Sequence, residues 1–148
     1  MPEFKVVIND VKSGKSYQKV ISGNDADAFK RGKIKSTIIG NELGFKGYEF
    51  QITGGSDSAG FPMRFDVEGM GRKKPLITHG PGAKHIKGGV KRRKTVVGNT
   101  LSHTIAQINM KVTKYGDKSL PDILGITPKE EAVKEEVKPV TDDAWILI

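Results

Sequence analysis

The chain has no cysteine, one tryptophan and no apolar run near the ~20 residues needed to cross a bilayer as a helix. The missing cysteines exclude a disulfide scaffold, a thiolate zinc site and a cysteine nucleophile. The polar start (Pro2, Glu3, Lys5) does not read as a signal peptide, so a soluble, cytoplasmic protein is expected, with no membrane partner. The three histidines, His79, His85 and His103, have no helical metal-ligand spacing, so no metal or other cofactor is expected. Gly14-Lys15-Ser16 resembles the end of a phosphate-binding loop, but the glycine required five positions earlier is Asn9; the segment reads as a hairpin turn. Gly69-Met70-Gly71 lacks the third glycine of a dinucleotide fingerprint. Carboxylates concentrate towards the C-terminal end, where pKa values are hard to perturb. The expectation is a non-enzyme with no small-molecule substrate.

What the chain does have is positive charge, 25 Lys+Arg against 17 Asp+Glu in 148 residues, and its distribution is uneven. Residues 127–148 carry a net −3, leaving +11 on residues 1–126. Within that body, residues 64–94 hold ten basic side chains against Asp66 and Glu68. They are Arg64, Arg72, Lys73, Lys74, Lys84, Lys87, Lys91, Arg92, Arg93 and Lys94, and His85 lies among them. Gly80, Gly82, Gly88 and Gly89 punctuate the segment and large apolar residues are scarce. A stretch of this kind packs poorly and repels itself, so an anionic partner is expected to order it. These eleven residues are the candidate nucleic-acid contacts.

Short β-branched and aromatic runs over Phe4–Ile8, Tyr17–Ile21, Thr37–Ile39, Leu76-Ile77 and Lys94–Val97 predict strands. Tyr48–Thr53 alternates with Tyr48, Phe50 and Ile52 on one face, and Gly54-Gly55 should close it. Thr104–Lys114 alternates over Ala106, Ile108, Met110 and Val112, and only Ile105 breaks the pattern. Asn24 is placed to cap a short helix over Asp25–Arg31, stopped at Gly32. The fold class is therefore mainly β: a small bent-sheet or barrel-like domain over 1–126 with one short helix. Beyond it, Thr127-Pro128-Lys129-Glu130 reads as a capping box that opens a short acidic helical tail over 127–148. Aromatics beside basic residues are potential base-stacking platforms. Tyr48 and Phe50 read as inward strand positions, whereas Phe61 and Phe65 stay open.

Gly47-Tyr48 through Ile52-Thr53-Gly54-Gly55, then Asp57 and Gly60-Phe61-Pro62-Met63, resembles the hallmark of the ribosomal protein S6e family of the archaeal and eukaryotic small subunit. Gly80-Pro81-Gly82, Arg92-Arg93-Lys94-Thr95-Val96 with Gly98-Asn99-Thr100, Gln107-Ile108-Asn109 and Leu124-Gly125 fit as well, so the resemblance spans about residues 3–125. It implies a barrel-like structural protein that binds small-subunit ribosomal RNA beside neighbouring ribosomal proteins, in its short archaeal form. Val97 stands where the family often has another arginine, so that position is not expected to touch RNA. The long basic tail with regulated serines of eukaryotic members is replaced by the acidic one. Composition alone leaves a second class open: a free-standing basic protein that coats nucleic acid.

Overall fold

A computed structural model describes residues 3–126. Its centre is an open five-stranded sheet in the order β2-β1-β9-β4-β3, built from β1 (Glu3–Asn9), β2 (Ser16–Ser22), β3 (Thr37–Ile39), β4 (Glu49–Asp57) and β9 (Ile105–Lys114). The fold is mainly β, as expected, and of the two forms anticipated it is the bent sheet; β2 and β3 remain unpaired edges rather than closing a barrel. β1 and β9 run parallel, with Val6 opposite Ile108, so the first and last strands lie side by side at the centre. The other pairings are antiparallel.

Alternation decides which face is buried. Phe4, Val6 and Ile8 of β1, Phe50 and Ile52 of β4, and Ile108, Met110 and Val112 of β9 all point into one core. Tyr48 joins them, stacked on Phe50 with centroids 5.8 Å apart, and its hydroxyl donates to the Lys118 carbonyl at 2.6 Å. The inward reading of Tyr48 and Phe50 therefore holds. The turn at residues 10–15 is the expected hairpin: Asp10 N–H donates to the Lys15 carbonyl at 2.9 Å and Gly14 takes a positive φ of 68°.

Three expectations are corrected, and one helix was not anticipated. Gly54-Gly55 does not end β4, which continues to Asp57. A Cβ on Gly55 would overlap the Gln107 carbonyl oxygen, so Gly55 permits a close strand approach instead of a stop. Ile105 is a core residue, not an irregularity, because a register shift separates Ser56↔Gln107 from Asp57↔Ile105. The extra residue, Ala106, reverses the inside–outside parity. The helix expected over Asp25–Arg31 is a 3-10 helix over Gly23–Phe29, in which Asn24 lies inside the element. The i,i+3 pair Ala26 and Phe29 shares one buried side, the spacing that a three-residue turn aligns. An α-helix, α1 (Leu120–Leu124), follows Ser119 and ends at Gly125, whose φ is 66°. The signal was present as Ser119, Pro121, Asp122 and Gly125, a start-and-stop pattern compressed into five helical residues. The expected helical tail over 127–148 lies outside the described residues.

Candidate nucleic-acid interface

The basic segment forms an arm. Two short antiparallel pairs build it: β5 (Arg72–Lys73) with β8 (Val96–Val97), and β6 (Leu76–Ile77) with β7 (Arg92–Arg93). Residues 72–77 thus run back along 92–97, and Lys94 N–H bonds the Pro75 carbonyl at the junction, 3.3 Å away. Residues 78–91 make the tip. Between Arg72 and Lys94 there is no acidic residue.

The arm's base packs against its own chain. Ile77 and Val96 are buried, and a Cβ on Gly82 would come within 2.7 Å of a Val96 methyl group. Arg64 is 6% exposed. Its Nε and Nη2 donate to the two carboxylate oxygens of Asp66, each at 2.8 Å, while Nη1 donates to the carbonyls of His79 at 2.9 Å and Pro81 at 2.8 Å. Hydrogen bonding by Arg64 holds the Asp66 carboxyl below the usual carboxylate range. The buried guanidinium is therefore a clamp that ties the tip's first turn to the loop after β4. It is not presented to solvent as a phosphate ligand. Gly80 fits this clamp, since a Cβ there would stand 3.2 Å from the guanidinium.

Arg72 is also engaged. Its Nε donates to Asp57 Oδ2 at 2.7 Å, and its guanidinium lies 5.0 Å from the centroid of Phe61. Asp57 is buried, and its Oδ1 accepts the Ala59 and Phe61 N–H groups at 3.0 and 2.9 Å. Burial pushes the Asp57 carboxyl up, but Arg72 and the two backbone donors outweigh it and hold the group below its ordinary value. The Phe61 ring packs partly buried against the core. Val97 is buried and bonds the Pro62 carbonyl through its N–H.

The remaining candidates differ. Lys73, Lys74, Lys84, His85, Lys87, Lys91, Arg92 and Arg93 are exposed and Lys94 is half-buried. Among the described residues none of these side chains is salt-bridged to a carboxylate. Lys73 reaches the Glu68 carbonyl and Arg93 the Lys74 carbonyl, both on the arm or its foot. Arg92 and Arg93 are consecutive residues of one strand, so their side chains leave opposite faces of the ribbon and cannot share one phosphate-facing side. His85 holds a positive φ of 64°, unusual without glycine, at the tip. Of the paired glycines, Gly89 needs its left-handed φ of 79°, whereas Gly88 lies in open space.

A second basic cluster was missed in the linear reading. Lys30, Arg31, Lys33 and Lys35 fall within six residues, but the run is too short to dominate a charge profile. The fold brings it to the arm's foot, where Leu101 N–H bonds the Gly32 carbonyl at 2.7 Å and Ile34 N–H the Asn99 carbonyl at 3.0 Å.

Comparison with known proteins gives a consistent set of matches. The profile of the family Ribosomal protein S6e matches residues 4–125. A small ribosomal subunit protein eS6 from Methanocaldococcus jannaschii is 44% identical over 126 residues, covering 85% of this chain and 94% of the relative. The protein of the same description from Methanosphaera stadtmanae is 44% identical over 128 residues, 86% of this chain and 96% of the relative. That from Halobacterium salinarum is 36% identical over 131 residues, 88% of this chain and all of the relative.

Proposed function

Because the chain belongs to the ribosomal protein S6e family, whose members are structural proteins and not enzymes, we propose that its arm binds small-subunit ribosomal RNA by neutralising backbone phosphates. The chain is a structural constituent of the small ribosomal subunit, works in the cytoplasmic ribosome, and has ribosomal RNA and ribosomal proteins as its partners.

One observation carries the finer reading. Eight of the nine Lys and Arg side chains between Arg72 and Lys94 have no carboxylate partner among the described residues, and the ninth, Arg72, is held by Asp57. Eight like charges on a narrow ribbon repel one another, and counterion release from a phosphate backbone relieves that repulsion. Lys84, Lys87, Lys91, Arg92, Arg93 and Lys94 are the principal contacts. The arginine forks suit bidentate phosphate bonds, one from each face of the ribbon. Gly88 leaves the tip backbone bare, so it can approach the RNA closely. Recognition is of shape and backbone, because the deep major groove of folded RNA hides its bases.

Affinity for a purified small-subunit RNA fragment, measured against salt, tests this. With about six phosphates neutralised, log K falls with log salt at a slope on the order of −4 to −5. Replacing Lys91, Arg92, Arg93 and Lys94 together by alanine should flatten the slope to roughly −1 to −2. An unchanged slope would remove the arm from the interface. Sedimentation through a high-salt wash separates a built-in subunit protein from a coating protein: only the former stays with the particle.

A further inference from the structure

Phe61 and Phe65 are both candidate stacking residues in the sequence, and the fold separates them. Phe61 packs against the core under Arg72, while Phe65 remains 54% exposed on the loop leading into β5. Three segments converge around it. Asn99 N–H bonds the Val67 carbonyl at 2.8 Å and Asn99 Nδ2 the Phe65 carbonyl at 3.2 Å, which pins the Phe65 loop to residues 98–101. The basic loop 30–35 is pinned to the same residues through Lys33↔Thr100 and the Gly32 and Ile34 backbone bonds. Lys35 Nζ then stands 4.4 Å from the centroid of the Phe65 ring.

We propose that Phe65 and the loop 30–35 form a second RNA contact at the foot of the arm, in which Phe65 stacks an unpaired base and Arg31, Lys33 and Lys35 hold the flanking phosphates. This rests on the reading that the partner is RNA. Several observations support it. Arg31, Lys33 and Lys35 are exposed and have no carboxylate partner among the described residues, whereas Lys30 is paired with Asp27 at 2.7 Å. Arg31 and Lys35 adopt left-handed backbone, with φ of 58° and 72°, a conformation that costs a non-glycine residue and is retained where surroundings enforce it. For Lys35 they do: its N–H bonds the Ile52 carbonyl at 2.8 Å, and Gln51 Nε2 donates to its carbonyl at 3.2 Å. The loop is thus held open with its cations outward, beside an aromatic face. Of the two acids on the Phe65 loop, Asp66 is taken by Arg64, which leaves Glu68 against three cations. Continuity with the arm follows from sequence, since the loop runs directly into β5. A cation and an exposed aromatic side by side is the arrangement that receives a base and its phosphate together.

The test compares a labelled 12-nucleotide oligoadenylate, unpaired, with a 12-base-pair RNA duplex, each titrated against the full chain by fluorescence anisotropy. Phe65→Leu keeps apolar bulk on the surface and removes the aromatic face. It should weaken oligoadenylate binding about 5- to 100-fold, the range of one base–aromatic stack, and duplex binding less than about twofold. Phe65→Trp should restore or tighten the single-strand affinity, and the salt slope should not change, because no phosphate contact is lost. Absence of oligoadenylate binding by the unaltered chain, or equal losses on both RNAs, or no loss on either, overturns the proposal and leaves Phe65 as cover for the Lys35 stem. The arm reading fails separately: it depends on the salt slope of the Lys91–Lys94 substitutions, which Phe65→Leu does not touch.

Discussion

Replacing Arg64 by glutamine separates a clamp from a phosphate ligand. The guanidinium makes four hydrogen bonds, two to Asp66 and one each to the His79 and Pro81 carbonyls. The full sum overstates the loss, because Asp66 is 46% exposed and His79 and Pro81 are exposed residues, so water takes over part of the bonding. What water cannot restore is the link between the loop after β4 and the tip's first turn. We expect a loss of about 1.5–3 kcal/mol in urea unfolding, by the measure of hydrogen bonds to a charged group. That corresponds to a fall in Tm of roughly 5–12 °C for a domain of this size. Arg64→Lys keeps the charge but not the fork, and should recover little of the stability. The decisive reading is RNA affinity against salt. A clamp predicts weaker binding at every salt concentration with an unchanged slope, because no phosphate contact has been removed. A slope shallower by about 0.7–0.9 for Arg64→Gln but restored in Arg64→Lys, with stability intact, would show that Arg64 neutralises a phosphate and would refute the clamp.

Other substitutions test other parts. The folded-state pKa of Asp57 is lowered, so its contribution is present above its unfolded value of about 3.9 and is lost as pH falls through the folded value. The urea midpoint of the unaltered chain should therefore drop more between pH 6 and pH 3 than that of Asp57→Asn; equal drops would refute the linkage. Gly55→Ala forces a Cβ onto the Gln107 carbonyl and should destabilise by about 1–3 kcal/mol, while Gly54→Ala, with nothing within 4 Å, should stay within about 0.5 kcal/mol in the same urea titration. Gly88→Ala should leave stability unchanged and weaken RNA binding, whereas Gly89→Ala, at a φ of 79°, should cost about 1–2 kcal/mol in stability as well.

Much of the fold was legible residue by residue. Phe4–Ile8, Tyr17–Ile21, Thr37–Ile39 and Leu76-Ile77 lie within the observed strands to within a residue at each end, because a half-buried strand leaves a period of two in the sequence. Two of the failures share a cause. Gly54-Gly55 looks like a terminator, and Ile105 like noise, when each strand is taken alone. Both are consequences of how β4 lies against β9, where register shifts at Ile52/Gly54 and Ser56/Asp57 let the sheet bend. The helix expected after Asn24 tightened to 3-10 because Ala26 and Phe29 had to reach the same core.

The interface divides in the same way. Net charge, its concentration in residues 64–94 and the absence of acids from the arm are composition, and they were settled before any chain was folded: repulsion among like charges depends on their number and closeness along the chain. Which cations are free to meet a phosphate was decided only by tertiary structure. Arg64 and Arg72 count the same as Lys84 in a charge profile, yet the first is buried on two carbonyls and Asp66 and the second is held by Asp57. Loop 30–35 contributes little to that profile, yet backbone bonds to residues 99–101 carry it to the foot of the arm beside Phe65. A charge is read from its own residue, whereas its availability depends on what the chain, arriving from elsewhere, has placed within 3 Å of it.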